Sequence, residues 1–289
     1  MDGHDTAGLE IDVLRRWIGR SETAVDTISE RLAASFQATF DFDPSPRGKP
    51  APLAIHWCLA PAIAKAGETE VDGHPARGGF LPPVPLPRRM WAGGEIRFHD
   101  ALLVGDEVTR TSRIADIAAK AGRTGPLCFV KVEHRLSTAR GLAIVEHQDV
   151  VYRQAATGQA AVGGVPAAGD AEERPQPQWR ESVVADTLLL FRYSALTFNG
   201  HRIHYDRDYA TEAEGYPGLV IHGPLQATLL LHMAARLRDG APPRLFRYRS
   251  LRPLFEGEPL FLNAMDVEGG LDLWTSDGPG ARAMSATAA

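Results

Sequence analysis

The pattern of apolar and polar positions changes period several times along the chain, and each change marks an element. Between His222 and Leu237 nearly every position is apolar. Leu225, Leu229, Met233 and Leu237 recur at helical spacing, and Ala227, Leu230, Leu231, Ala234 and Ala235 fill most of the other faces. Gln226, Thr228 and His232 are left as the interior polar side chains. A helix that is apolar nearly all round must be wrapped on every side. His222-Gly223-Pro224 gives its start, because proline suits a first turn, and Gly240 gives its stop. At about 1.5 Å per residue it runs roughly 22 Å, the width of a curved sheet able to wrap it, and it is too short and too flanked by charge to span a bilayer.

Earlier in the chain, Val25, Ile28, Leu32 and Phe36 form one stripe with Glu22, Asp26, Glu30 and Arg31 mostly off it. That spacing predicts an amphipathic helix from Ser21 to Phe40, with Thr23 and Asp26 as a capping pair. Leu53 to Ala66 is a weaker helix, kinked by Pro61. Residues 67–94 contain GGFLPPVPLPRRMWAGG, in which proline removes donors that a helix or central strand needs, so a long loop is expected there. Its Arg88, Arg89 and Trp91 suit a phosphate-bearing, ring-bearing ligand as well as they suit a plain cover over the core.

The period then drops to two. Glu95 to His99, Asp106 to Ile117, Leu127 to Leu136 and Leu142 to Tyr152 read as strands of an antiparallel meander, separated by AKAGRTGP and STARG. Residues 154–178 are rich in Ala, Gly, Pro and Gln with little to bury, which predicts a linker. After the buried helix, Leu245 to Leu251, Pro259 to Val267, Leu271 to Thr275 and Arg282 to Thr287 read as strands again. Two correspondences suggest that the second half repeats the first. RFHDALLVGDEV from Arg97 lies against RSLRPLFEGEPL from Arg249, matching Leu102 to Leu254, Gly105 to Gly257 and Asp106 to Glu258, and Thr39-Phe40-Asp41 lies against Thr197-Phe198-Asn199.

Length and charge narrow the choices. A chain of 289 residues, 44% hydrophobic, can bury a large core or two ordinary ones. A net charge of −5 argues against a general nucleic-acid or anionic-membrane surface. Cys58 and Cys128 show neither zinc-knuckle nor dense disulfide spacing, and the acidic, polar start MDGHDTAGLEID has no signal-peptide character, so a cytoplasmic protein is expected.

The candidate chemistry lies between Tyr193 and Leu237, where Asn199, His201, His204, His222 and Gly223 crowd together. A loop histidine can act as a general base, and a helix start offers unpaired N–H groups to a carbonyl oxygen that gains negative charge. Both are needed to add water across a double bond conjugated to a thioester. Read alone, His204 is sooner a loop histidine satisfying backbone groups than a catalytic one. A zinc site from His201, His204 and His222 lacks a fourth ligand, so no metal is expected.

The segments FNGHRIHYD from Phe198 and EGYPGLVIHGPL from Glu214, with WIGR at Trp17 and PLPRRMWAGG at Pro85, resemble the MaoC-like (R)-specific enoyl-thioester hydratases. Within that group the chain is similar to the double hot-dog members, the mitochondrial-type 3-hydroxyacyl-thioester dehydratases and the bacterial mesaconyl-C4-CoA hydratases. The resemblance implies an α+β fold of two fused hot-dog domains, residues 1–155 and 179–289, joined by a linker at 156–178. It implies one active site in the second half, because Asp41 in the first half has Pro46 where a histidine would stand. It assigns His204 as the base, Asn199 as the positioner of the water, and the N–H of Gly223 as the group that polarises the thioester, with His222 fixing the helix entrance. Asn199 stands where many relatives carry aspartate, and an amide cannot accept the proton at neutral pH. By position, Arg202 or Arg192 would meet a far carboxylate, and Arg88, Arg89 and Trp91 would meet CoA. The implied activity is reversible hydration of an acyl-CoA, mesaconyl-C4-CoA or itaconyl-CoA giving citramalyl-CoA, without a cofactor. The alternatives are a 3-hydroxyacyl dehydratase of fatty-acid metabolism, a hot-dog thioesterase, or a non-catalytic acyl-CoA-binding protein. A homo-oligomer is compatible with this reading.

Overall fold

The computed structural model describes residues 9–122, 125–154, 176–278 and 281–289. Ten strands form one antiparallel sheet. In chain order they are β1 (Ser21–Thr27), β2 (Arg88–Phe98), β3 (Glu107–Gly122), β4 (Gly125–Thr138), β5 (Gly141–Arg153), β6 (Trp179–Val184), β7 (Leu245–Ser250), β8 (Pro259–Val267), β9 (Gly270–Ser276) and β10 (Met284–Ala288). Across the sheet the order is β1-β3-β4-β5-β2-β7-β10-β9-β8-β6. Each half of the chain supplies five neighbouring strands, and the halves meet where Gly93 to Arg97 of β2 pair with Arg249 to Leu245 of β7. The helices are the short α1 (Ile11–Leu14), α2 (Glu30–Thr39), α3 (Thr187–Thr197) and α4 (Gly223–Arg236). This is a double hot-dog, an α+β fold, as the resemblance implied.

α4 is the wrapped helix. It packs on β2 and β7 to β10 and buries Leu225, Leu230, Leu231 and Met233 completely. Each such side chain contributes roughly 1.5–3 kcal/mol relative to exposure. Its polar interior positions are satisfied locally: Thr228 donates to Pro224 O (2.9 Å), and Gln226 accepts from Thr275 Oγ1 (2.6 Å).

The internal repeat holds at the level of hydrogen bonds. In the first half Ala51 N–H donates to Leu102 O, and in the second Ile221 N–H donates to Leu254 O, each at 2.8 Å. Gly105 and Gly257 both take positive φ, 101° and 82°, just before β3 and β8. Thr39 and Thr197 end α2 and α3 alike, each donating its hydroxyl to the carbonyl four residues back at 2.8 Å. Among the described residues the first half has no counterpart of α4. At the matching place after Ala51 there is a single 3-10 turn, Ile55–Cys58, and a second at Ala66–Glu68. The kinked helix expected from Leu53 to Ala66 is therefore absent. Ala54 and Ala60 sit at φ 66° and 44°, a conformation no right-handed helix accepts, and Pro61 follows at once.

Two other expectations need correction. Ser21 to Phe40 is not one helix: β-branched Thr23, Val25 and Thr27 pair along β3 as an edge strand, and α2 starts only after Ser29, whose hydroxyl accepts from Leu32 N–H (3.1 Å). The segment RRMWAGG is not loop but the start of β2, in the middle of the sheet. Its prolines all precede Arg88, so the donors from there on are intact, and a bulge between Trp91 and Gly93 absorbs the turn material. β6 and α3 (capped by Asp186, 2.8 Å from Leu189 N–H) lie where no element was predicted. The expected linker falls almost wholly outside the described residues.

Candidate active site

α3 ends where Phe198 adopts a left-handed conformation (φ 51°), turning the chain toward the sheet. Asn199 N–H donates to Ser194 O (2.8 Å), and its Oδ1 accepts from His201 N–H (3.0 Å), which fixes the loop. A one-turn 3-10 helix, Arg202–His204, follows. The first half of the chain holds this loop from outside: Arg202 N–H donates to Asp72 O (2.9 Å), and a methyl on Gly73 would overlap Gly200 O. Two glycines therefore let the loops touch backbone to backbone. That contact brings the rings of His74 and His201 to 4.2 Å.

His204 is buried, with Nδ1 2.7 Å from Val220 O. A carbonyl only accepts, so Nδ1 carries the proton and Nε2 keeps its lone pair. Burial pushes this histidine down to about 4, opposed by the Val220 carbonyl and assisted by the nearby charge of His74. At neutral pH it is an uncharged imidazole. Its ring stacks on that of His222 at 3.6 Å between centroids and 17° between planes. His222 is completely buried, has Nε2 2.8 Å from Ser194 Oγ, and is held well below the ordinary histidine value by burial and then by the charges of His204 and His201. The ring of His204 thus lies beside the first turn of α4. In that turn the first intrahelical bond is Gln226 N–H to His222 O (3.2 Å), so the N–H of Gly223 has no partner within the helix.

A cavity of about 450 Å³ runs past this turn. Asn199, His204 and Gly223 all line it, with Arg88, Arg89 and Trp91 from β2. Met90 and Ala92 of β2 and Val150 and Val151 of β5 also line it, and among the described residues no second wrapped helix fills this space, which leaves room for a ligand. Arg88 is spent on Glu214, 2.9 Å away, and lies over the ring of Tyr216. Arg89 faces the cavity near His74, whose pKa is lowered by burial and, in part, by that arginine's charge. Trp91 is a wall rather than a gate. It stacks on Tyr248 (4.5 Å) and meets Trp57 edge-on (5.6 Å).

Arg192 and Arg202 do not reach the cavity. Arg192 is exposed, 3.5 Å from Ala38 O, and Arg202 is tied to Asp206 (2.8 Å) and Val71 O (3.2 Å). Both were placed by sequence nearness alone, and the helical turns send them outward. The zinc trio is also undone by geometry. His204 and His222 lie face to face, so their nitrogen lone pairs, which lie in the ring planes, do not converge. Among the described residues, Asp72, His74 and His201 form the one grouping with three potential metal ligands, yet Asp72 uses both oxygens on His74, 2.9 Å each.

Gly223 sits where only a hydrogen fits. A Cβ there would lie 2.9 Å from Trp91 Cε3 and 3.3 Å from Ser250 Oγ. Trp91 is clamped by two aromatic rings and cannot yield, so Gly223→Ala must shift the helix start. The expected result is a drop in kcat of at least about tenfold with a destabilisation of about 1–3 kcal/mol. Steady-state rates and a urea midpoint measure both, and an unchanged kcat would detach the helix start from catalysis.

Fold and site narrow the class first: a double hot-dog with a neutral imidazole beside the unpaired N–H groups of its enclosed helix has the parts that an acyl-thioester hydro-lyase needs. Comparison with known proteins agrees. The chain belongs to the hydroxyacyl-thioester dehydratase type 2 family, whose model matches residues 54–256. It is 44% identical over 277 residues to the mesaconyl-C(4)-CoA hydratase of Chloroflexus aurantiacus, covering 94% of this chain and 95% of that one. Among solved structures, a MaoC-like dehydratase aligns with a TM-score of 0.72 at 14% identity, covering 95% of this chain and 98% of that one. A Mycobacterium tuberculosis protein described as having a double hot-dog fold aligns at 0.53 and 15%, covering 94% and 96%. At such identities the structures speak for the fold alone. Among the described residues no helix is long and apolar enough to cross a membrane.

Proposed function

We propose that this chain adds water reversibly across the double bond of a short, branched enoyl-CoA, with mesaconyl-C4-CoA as the substrate class and citramalyl-CoA as the product. The observation that carries the reaction is the state of His204, a buried neutral imidazole with its proton fixed on the Val220 side and its free nitrogen available at the start of α4. In hydration, Nε2 of His204 takes a proton from water while the oxygen adds to the β-carbon. The thioester carbonyl gains enolate character, and the N–H of Gly223 with the positive end of α4 stabilises it. The same imidazolium then returns the proton to the α-carbon. Asn199 orients the water through its amide, since its Oδ1 retains a second lone pair beyond the bond to His201 N–H. No step calls for a cofactor.

The substrate is supported by likeness to the Chloroflexus hydratase over nearly the whole of both chains. A cytoplasmic location suits a CoA ester. The test is to incubate the purified protein with mesaconyl-C4-CoA, itaconyl-CoA and straight-chain enoyl-CoA esters and follow the absorbance of the conjugated thioester. Loss of that absorbance with formation of a hydroxyacyl-CoA is the expected result. Release of free CoA thiol without a hydroxyacyl product would replace hydration with thioester hydrolysis.

A further inference from the structure

Beyond Asn199 the ligand cavity adjoins a second chamber of about 240 Å³. The two share Trp91, Thr197, Asn199 and Pro224 as lining, so one begins where the other's reacting groups end. This chamber belongs largely to the first half of the chain. Arg110 on β3, His134 on β4, and Glu146 and Gln148 on β5 face the single turn that carries His56 and Trp57. None of these residues takes part in the steps described above.

The charges in it are unequally satisfied. Glu146 is buried, and its Oε1 accepts from Trp57 Nε1 (2.9 Å), Tyr248 O–H (3.0 Å) and Gln148 Nε2 (3.0 Å), while Oε2 lies 3.3 Å from His56 Nε2. Burial alone would raise its pKa, but the hydrogen bond and charge of His56, the charge of His134 and the indole N–H of Trp57 bring it down to about 2. Its negative charge is consumed by the wall. Arg110 differs. It donates to Leu59 O (3.0 Å) and Ala60 O (2.6 Å), but its Nε is buried with no acceptor, and the acidic groups that act on it, Glu22, Glu146 and Asp26, do so from beyond ion-pair distance. A cation brought out of water without a carboxylate is costly unless a ligand supplies one.

We infer that Arg110 receives a carboxylate carried by the acyl group on the far side of its double bond, and that this chamber makes the enzyme selective for dicarboxylyl thioesters. The inference rests on the hydratase reading above. With the thioester oxygen at the N–H of Gly223 and the β-carbon facing Asn199 and His204, the substituent leading away from the thioester enters this chamber. There the guanidinium, whose two terminal nitrogens each keep a second N–H beyond the bonds to Leu59 O and Ala60 O, is the cation that meets the carboxylate, and Trp57 and Leu136 offer apolar faces to a methyl branch. The cation that position in the sequence assigned to Arg202 or Arg192 is thus supplied from the opposite half of the chain.

The experiment compares mesaconyl-C4-CoA with 3-methylcrotonyl-CoA, in which a methyl group replaces the carboxylate, on the wild-type protein, Arg110→Met and Arg110→Lys. The wild type is expected to favour the acid by at least about a hundredfold in kcat/KM, because a buried site built for a charged group rejects the analogue that lacks it. Arg110→Met should lose about that factor on the acid, mostly in KM, and little on the uncharged ester, which serves as the control for folding. Arg110→Lys should keep part of the preference. Equal losses on both esters in Arg110→Met, or a wild type that hydrates both alike, would overturn the inference, and the wild-type comparison decides even if the variant does not fold. A wild type that hydrates neither overturns the hydratase reading itself, a distinguishable failure.

Discussion

His204→Gln is expected to lower kcat by about 10²- to 10⁴-fold, the usual range for removal of a positioned general base. Glutamine can still donate to Val220 O, so the loop keeps its anchor while the lone pair that takes the proton is gone. Circular dichroism should therefore be unchanged while loss of the conjugated thioester's absorbance slows. Asn199→Ala is expected to cost less, on the order of ten- to a hundredfold, because it removes orientation and no titrating group. If His204→Gln retained more than a tenth of the wild-type rate, His204 would be a structural residue and the base would have to be sought elsewhere along the cavity.

Stability is expected to collapse as the pH falls from about 6.5 toward 4. Burial is the largest cause in holding down His134, His204 and His232, each to about 4, His201 to about 2, and His222 well below its ordinary value, and it lowers His74 as well. The unfolded chain protonates these groups near the ordinary histidine value of about 6.5. Between that pH and the folded values, the unfolded state binds more protons than the native state, so stability rises with pH and is lost on acidification. Each strongly depressed histidine removes on the order of 1 kcal/mol per pH unit, and the five other than His74 together remove a large share of an ordinary 5–15 kcal/mol over a single unit. The depressed carboxylates, Glu146 and Asp72 among them, protonate lower still and add to the loss. Urea midpoints at pH 7.5, 6.5, 5.5 and 4.5 measure this. A flat profile would mean that the histidines are not held neutral in the core.

Much of the second half was legible because one helix dominates it. The helix from Gly223 is wrapped on all sides, so nearly every residue had to be apolar and little ambiguity was left in the pattern. The strands from Glu107 onward were also legible, being rich in branched and aromatic residues between turn residues. The first half was harder to read. β1 and α2 share a stripe because Ile28, Leu32 and Phe36 repeat at helical spacing, and nothing local told that stripe where to begin until Ser29 proved to be the cap. The start of β2 was hidden by the prolines just before it. The second chamber left almost no trace: its one local sign is the carboxylate of Glu146 ending the apolar run Leu142 to Val145.

By itself the sequence determined the elements whose burial is one-sided or complete, the repeat of the loop before β3 in the loop before β8, and the crowding of Asn199, His204 and Gly223 within a short span. Those properties follow from spacing along the chain, which sequence records directly. Only the tertiary structure decided that Arg110 shares a chamber with Asn199, that the described residues of the first half contribute a turn instead of a second wrapped helix, and that His74 comes to rest on His201. Each depends on segments far apart in the chain meeting across a sheet, and the polar residues that meet there carry no period of their own, because a site needs them at one point in space and nowhere else along the strand.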